Sequence, residues 1–414
     1  MKQVFLALLF LAIATAVQSC TKPLPKEQAT VQLEHTLDSI CKAHSVVGLS
    51  VAVVSPDSIL FSRGFGWAQL GAARPMTDSS YVRIASISKT ITALALMQLY
   101  EQGKFKLDDD VSSALGFSLR NPNFPNEPIT YRQLLQHTSS LLSDEVQPQP
   151  YYVLWRDASL SLQDVLSKDG KRYQDSVYRS LWAQSAPGKT FAYSNLGYAL
   201  LGTLVESHSG ERFDQYCARH IFKPLGLACS FNVQDVAPEK LAYPYRLVEG
   251  KWTAQVDSVI TTLNLEDYVV GSNALLFSPQ GGLRVSAKEL AKLAQVFLNR
   301  GKWRNICLLN DTTLLRMERD SLATSETFFR KYALGLHHAK GMFEAIEMTG
   351  HPGLAYGLLS GWYYNRAHNV GIVVIITGAR YKATENEFYD VERSIYSAIG
   401  QYLRATRLRL HSLL

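Results

Sequence analysis

The stretch Val82-Arg83-Ile84-Ala85-Ser86-Ile87-Ser88-Lys89-Thr90, continuing through Ile91, Leu94, Leu96, Met97 and Leu99 to Gly103, decides how the rest of the chain is read. Ala93 to Leu99 are strong helix formers in a row, and Gly103 is a natural stop. Residues 91–99 are apolar on nearly every side, which predicts a helix buried all round. Ser86 and Lys89 are three apart, so on a helix they share a face and their side chains meet. A helix N-terminus favours developing negative charge. Burial lowers a lysine pKa and turns the amine into a base, which is what a serine needs to become a nucleophile. Ser-x-x-Lys alone is a common spacing, so its weight depends on what else the chain carries.

The chain has 414 residues, 47% hydrophobic and 19% charged, with no low-complexity tract. That describes a globular protein of one large or two ordinary domains. The formal charge of +6 is scattered. Its one cluster, Arg404, Arg407 and Arg409 interleaved with Leu408 and Leu410, reads as the solvated end of a last helix, so nucleic acid is not the expected partner. The five cysteines show no metal-ligand spacing, and neither a metal nor a cofactor is expected. Cys41, Cys217, Cys229 and Cys307 read as buried thiols, with one disulfide left open.

Residues 1–19 read as an export signal: Lys2, then an apolar run from Phe5 to Val17 that is too short to span a bilayer. The ending Val17-Gln18-Ser19-Cys20 resembles the bacterial lipoprotein signal, in which the cysteine is acylated. That implies a lipid at Cys20, membrane attachment at the cell envelope and a polar tether over residues 20–30. Ordinary cleavage after Ala14-Thr15-Ala16 is the alternative.

Residues 26–44 pattern as a helix, with Val31, Leu33, Leu37, Ile40 and Cys41 on one side. Leu49–Val54 and Ile59–Gly66 read as a hairpin across Ser55-Pro56-Asp57-Ser58. Thr130 caps a helix that ends at His137-Thr138-Ser139-Ser140, where His137 reads as a structural histidine fixing a loop. Tyr151, Tyr152, Trp155 and Trp182 read as core aromatics. Leu196–His208, Phe213–Phe222 and Ala287–Leu298 are helical, the last capped by Ser286. The final third is strand-rich: Ala333–His337, Phe343–Met348, Gly357–Tyr364 and Val370–Thr377, followed by a helix over 385–406. Strands at both ends and helices between predict an α+β fold. An antiparallel sheet built from about 31–80 and 280–407 is flanked by helices, with an all-helical part over about 90–279.

Two further pieces join Ser86 and Lys89. Tyr193-Ser194-Asn195 follows Pro187-Gly188 and precedes a helix; in extended backbone Tyr193 and Asn195 point one way and Ser194 the other. His351-Pro352-Gly353 stands at a strand start, where period two turns His351 to a cleft and Gly353 allows close approach to the backbone. Together with Leu134-Leu135-Gln136-His137-Thr138-Ser139 and Gln280-Gly281-Gly282-Leu283, this set resembles the penicillin-recognising serine hydrolases: class C β-lactamases, D-Ala-D-Ala carboxypeptidases and related esterases. The resemblance covers about residues 30–405. It implies the β-lactamase/transpeptidase-like fold and a hydrolase acting through an acyl-enzyme on a small peptide or ester, such as D-amino-acid peptides of the cell wall. It implies Ser86 as nucleophile, Lys89 as its base, Tyr193 as acid/base partner with its pKa lowered by Lys89, and Asn195 on the substrate amide. The backbone amides of Ser86 and Leu354 would hold the oxyanion, with His351 and Gly353 on the opposite wall. The family's Lys-Thr-Gly is here His351-Pro352-Gly353, which removes a cation, a hydroxyl and a backbone donor. That weakens the case for β-lactam hydrolysis and for binding a free carboxylate. A β-lactamase and a non-catalytic peptidoglycan sensor are the alternative readings.

Overall fold

A computed structural model describes residues 24–142, 157–256, 263–326, 328–343 and 346–406. The proposed signal, Cys20, Tyr151, Tyr152, Trp155, Arg407 and Arg409 lie outside these residues. Helix α1 (Lys26–Ala43) leads into strands β1 (Gly48–Val54), β2 (Ile59–Gln69) and β3 (Arg74–Pro75). Helices α2 (Ser88–Glu101), α3 (Asn195–Ser209) and α4 (Ala287–Leu298) follow. Strands β4 (Leu322–Ala323), β5 (Lys331–Tyr332), β6 (His337–Phe343), β7 (Ile346–Ala355), β8 (Leu358–Asn365) and β9 (Val370–Thr377) precede the closing helix α5 (Asp390–Ala405). The nine strands form one antiparallel sheet in the order β4-β5-β6-β7-β8-β9-β1-β2-β3. The first and last thirds of the chain therefore meet at the β9–β1 seam, where Val51 stands opposite Val374.

Every residue of β1 and β9 is buried, as expected of strands covered on both faces. Period two sorts their side chains. Leu49, Val51, Ile372, Val374 and Ile376 pack under α1 and α5 with Leu33, Leu37, Ile395 and Ile399. Ala52, Val54, Val373 and Ile375 face α4 and the helical layer. Helix α2 runs through that layer, with every residue from Ser88 to Met97 buried. Its polar members are bonded: Thr90 Oγ1 donates to Gly335 O at 2.9 Å and Thr92 Oγ1 to Pro279 O at 2.8 Å. Cys41, Cys217 and Cys229 are free and buried, and Cys307 is free and exposed.

The strand ends in the final third differ from the sequence expectation. Residues 333–337 are not one strand: Ala333 N–H closes a turn onto Leu336 O, with Gly335 at φ 76°. His351-Pro352-Gly353 lies inside the ten-residue strand β7, not at a strand start. A proline fits there because β6 pairs with β7 only as far as Gly350. Beyond that point β7 is bonded to β8 alone, and its other side is a free edge where no donor is missed.

Candidate active site

Ser86 does not sit on α2 itself. It lies in a single tight turn, Ala85–Ile87, immediately before the helix. The turn begins with Ala85 at φ 50°, a left-handed conformation that costs an alanine about 1–2 kcal/mol. The flanking residue is pinned from two sides: Ile84 N–H donates to Leu283 O at 3.0 Å, and Ser360 Oγ donates to Ile84 O at 3.0 Å. Gly353 makes the second contact possible. A Cβ there would lie 2.3 Å from Ser360 Oγ and 2.4 Å from Ile84 O. The glycine thus lets β7 press against the Ser86 turn.

Lys89 is 0% exposed. Its Nζ donates to Asn195 Oδ1 at 2.6 Å and to Gln280 O at 2.9 Å, and lies 3.2 Å from Ser86 Oγ. Nζ also stands 4.7 Å from the centre of the Tyr193 ring and 5.6 Å from that of Tyr198, close enough for cation–π attraction. The structure therefore brings Ser86, Lys89, Tyr193 and Asn195 together from segments more than a hundred residues apart. Asn195 opens α3, whose N-cap is Ser194: extended backbone, with its Oγ accepting from Gly197 N–H. This is the alternation expected of Tyr193-Ser194-Asn195.

His137 anchors that segment. Its ring Nδ1 accepts the Ser194 N–H at 2.9 Å, and its carbonyl accepts the Ala192 N–H at 2.8 Å. Its ring lies 4.3 Å from the Tyr193 ring. Burial first, then the charge of Lys89, holds the His137 pKa well below the ordinary histidine range. The ring stays neutral and its Nδ1 remains an acceptor. The loop that this histidine fixes is the one that carries Tyr193 and Asn195.

His351 is also buried and neutral, for the same two reasons in the same order. It accepts from Tyr332 Oη at Nε2, 2.9 Å away, and Nδ1 lies 2.6 Å from Pro352 O. With both nitrogens engaged and 0% exposure, it stands behind Tyr193, 6.3 Å between ring centres, and not on the cleft surface. Phe329 stacks on Tyr193 at 4.8 Å with 4° between the planes. Neither Tyr332 nor Phe329 was legible as a site residue, because each is one aromatic among many in irregular or very short elements.

Leu354 is reached through register. Tyr356 and Gly357, both at positive φ, form the two-residue turn joining β7 to β8, with Ala355 opposite Leu358. A turn of this kind closes on a hydrogen-bonded pair. Antiparallel pairs alternate, so Gly353–Ser360 is hydrogen-bonded and Leu354–Leu359 is not. The Leu354 amide therefore faces the free edge of β7. Ser86, Tyr193, Asn195, Pro352, Gly353 and Leu354 line one cleft of about 460 Å³. Among the described residues no cluster of histidine, cysteine or carboxylate side chains could hold a metal ion.

This geometry has relatives. The family model described as Beta-lactamase matches residues 27–392. The chain is 30% identical over 206 residues to penicillin-binding protein 4* of Bacillus subtilis, covering 49% of this chain and 41% of that protein. It spans less than half of the curated relatives it matches. Among solved structures, the D-amino acid amidase of Ochrobactrum anthropi SV3 superposes with a TM-score of 0.68 at 21% identity, covering 91% of this chain and 99% of that one. EstCE1, a hydrolase with promiscuous acyltransferase activity, superposes with a TM-score of 0.65 at 20% identity, covering 90% and 99%. At such identities these two show the fold alone. The family model spans the sheet seam, the Ser86 turn, the Tyr193 segment and β7 in one match, and the chain belongs to the beta-lactamase family.

Proposed function

We propose that the protein is a serine hydrolase that works through an acyl-enzyme at Ser86 on a small peptide or ester, in the manner of the carboxypeptidase and esterase branches of its family. The observation that carries this reading is the Lys89 Nζ–Ser86 Oγ contact of 3.2 Å at the mouth of a cleft. In this reading Ser86 Oγ attacks the substrate carbonyl while its proton passes into the Lys89–Tyr193 pair. The carbonyl oxygen takes negative charge opposite the Ser86 and Leu354 amides. Collapse breaks the bond to the leaving group, which takes the proton, and water then cleaves the Ser86 ester by the same route in reverse. Asn195, held by Lys89, is placed to meet the substrate amide.

His351 and Pro352 offer a substrate carboxylate neither a cation nor a donor, and this favours peptides, amides and esters over β-lactams. A Ser86–Lys89 pair in hydrogen-bond contact favours catalysis over a purely sensory role. The test is intact mass after exposure to a fluorophosphonate and, separately, to a penicillin, with Ser86→Ala as control. One fluorophosphonate adduct, lost in Ser86→Ala, is the expected result. No adduct at Ser86 from either reagent would refute the hydrolase reading. Rapid turnover of a penicillin would move the assignment to the β-lactamase branch.

A further inference from the structure

The cleft at Ser86 reaches both faces of β7, and its side chains sort by face. Gly353 turns to the helical layer, where it meets Ile84 O and the Ala85 Cβ of the Ser86 turn. Period two turns Pro352 and Leu354 the other way. Leu354 stands opposite Leu359, and directly opposed residues share a face. Leu359 belongs with Phe388 to the buried cluster under α1 and α5. Leu354, Leu359 and Phe388 nevertheless line the same cleft as Ser86. One side of β7 is closed by β8, and the Tyr356–Gly357 turn is not among the lining residues. The cleft therefore passes over the free edge of β7 and opens onto the α5 face.

Beyond that edge the wall is apolar. Leu354 is 55% exposed, a large apolar side chain left open two residues from Pro352, which has no N–H to offer. Phe328 and Phe329 are half-buried and line the same space. No lysine, arginine or histidine is among the described lining residues. Its two carboxyl side chains, Glu387 and Glu392, are buried and accept the Lys340 and Tyr389 N–H groups. A carboxylate brought here would leave water for a wall without a cation, which is costly. An aryl or alkyl group would bury apolar area at a gain, and about 460 Å³ is room for one, within the range of about 300–1,000 Å³ usual for small-molecule sites. Tyr193 indicates which half of the substrate goes there. In the reaction proposed above, the Lys89–Tyr193 pair returns the proton to the leaving group. The Tyr193 ring is stacked on Phe329, so the leaving group departs along the wall that Phe329 and Leu354 share.

We propose that the part of the cleft beyond the free edge of β7 is a subsite for an uncharged aryl or alkyl group on the leaving-group side of the substrate, with Leu354 as a specificity-determining side chain, and that a carboxylate there is rejected. The inference rests on the hydrolase reading and narrows it, from peptides with a free C-terminal carboxylate to esters and amides whose alcohol or amine is apolar.

The experiment compares kcat/KM for 4-phenylbutyl acetate, butyl acetate and 4-acetoxybutyrate on the full-length protein. The three alcohols leave with nearly equal ease, so the comparison reads what the leaving-group side meets. The phenylbutyl ester should exceed the butyl ester about tenfold or more, as burial of a phenyl ring gives, and the carboxylate ester should fall below both. Ethyl 4-phenylbutyrate and ethyl butyrate, which move the ring to the acyl side, should differ by no more than a few-fold. In Leu354→Ala the ratio of phenylbutyl to butyl ester should fall at least threefold; a ratio is insensitive to a general loss of activity. Leu247→Ala, an exposed leucine outside the cleft, should leave the ratio unchanged. A ratio near one, a carboxylate ester cleaved as well as the butyl ester, a preference that follows the acyl group, or a ratio unmoved by Leu354→Ala would overturn the subsite. Calorimetric titration of Ser86→Ala needs no turnover: 4-phenylbutanol should bind about tenfold or more tighter than 4-phenylbutyrate, and equal binding or none would also overturn the subsite. Failure of a fluorophosphonate to label Ser86 would sink the hydrolase reading and leave that titration to decide the subsite by itself.

Discussion

Replacing His137 by phenylalanine removes one acceptor and keeps most of the packing, so its effects can be worked out in advance. The Ser194 N–H, buried and bonded to His137 Nδ1 at 2.9 Å, loses its partner. An orphaned buried donor costs about 1–3 kcal/mol. The ring contacts with Tyr193 and Tyr198 are largely retained by phenylalanine. At pH 7.5 the variant should therefore be less stable by about 1–3 kcal/mol in urea unfolding. Ester turnover should fall by about one to two orders of magnitude, because a misplaced segment near the reacting atoms carries a penalty of that size.

The pH dependence is the sharper part. His137 is held neutral in the folded chain and titrates near its ordinary value of about 6.5 once unfolded. Its folded pKa is lowered, so the stability tied to it is present above pH 6.5 and lost as pH falls. Protonation of the unfolded chain at this one site stabilises that state by about 0.1 kcal/mol at pH 7.5 and about 1.4 kcal/mol at pH 5.5. Phenylalanine has no such linkage. The stability gap between wild type and His137→Phe should shrink by about 1.4 kcal/mol over those two units. A gap that stays constant would show that the buried ring is not held neutral, and an unchanged turnover would show that it does not position the Tyr193 segment.

Three further substitutions separate the parts of the site. Lys89→Met keeps the volume and removes the donor to Ser86, Asn195 and Gln280; fluorophosphonate labelling should slow by about 10²–10⁴-fold, with stability little reduced or raised, because a buried cation is replaced by an apolar chain. Gly353→Ala places a methyl 2.4 Å from Ile84 O, so it should cost about 1–3 kcal/mol in chemical unfolding and shift the Ser86 turn enough to lower turnover at least tenfold. Tyr332→Phe deprives His351 Nε2 of its donor and should cost about 1 kcal/mol, with labelling of Ser86 kept within a few-fold of wild type, since His351 is off the cleft surface.

The parts legible in sequence were those set by local periodicity. Helix α4 begins and ends where Ser286 and the apolar pattern place it, and α2 is buried on all sides as its composition demands. The Ser86–Lys89 and Tyr193–Asn195 pairs were legible because fixed spacing survives folding. What was not legible depends on contacts between distant segments. His351 and Pro352 show why. In sequence, Pro352 reads as a lost donor and His351 as a group turned to a cleft. In the sheet, β6 stops at Gly350, the proline lies on the strand edge left free, and the turn at Tyr356–Gly357 sets which amides face that edge. The histidine is drawn inward by Tyr332, a residue from another strand. The far end of the cleft follows the same logic. Phe329, Leu354 and Glu387 carry no common motif, and only the fold puts them on one surface. If substrate choice in this branch is made at that surface, selectivity should change with substitutions around 328–329 and 383–392 while Ser86, Lys89 and Tyr193 stay fixed. Sequence motifs that identify the chemistry would then carry little information about which molecule undergoes it.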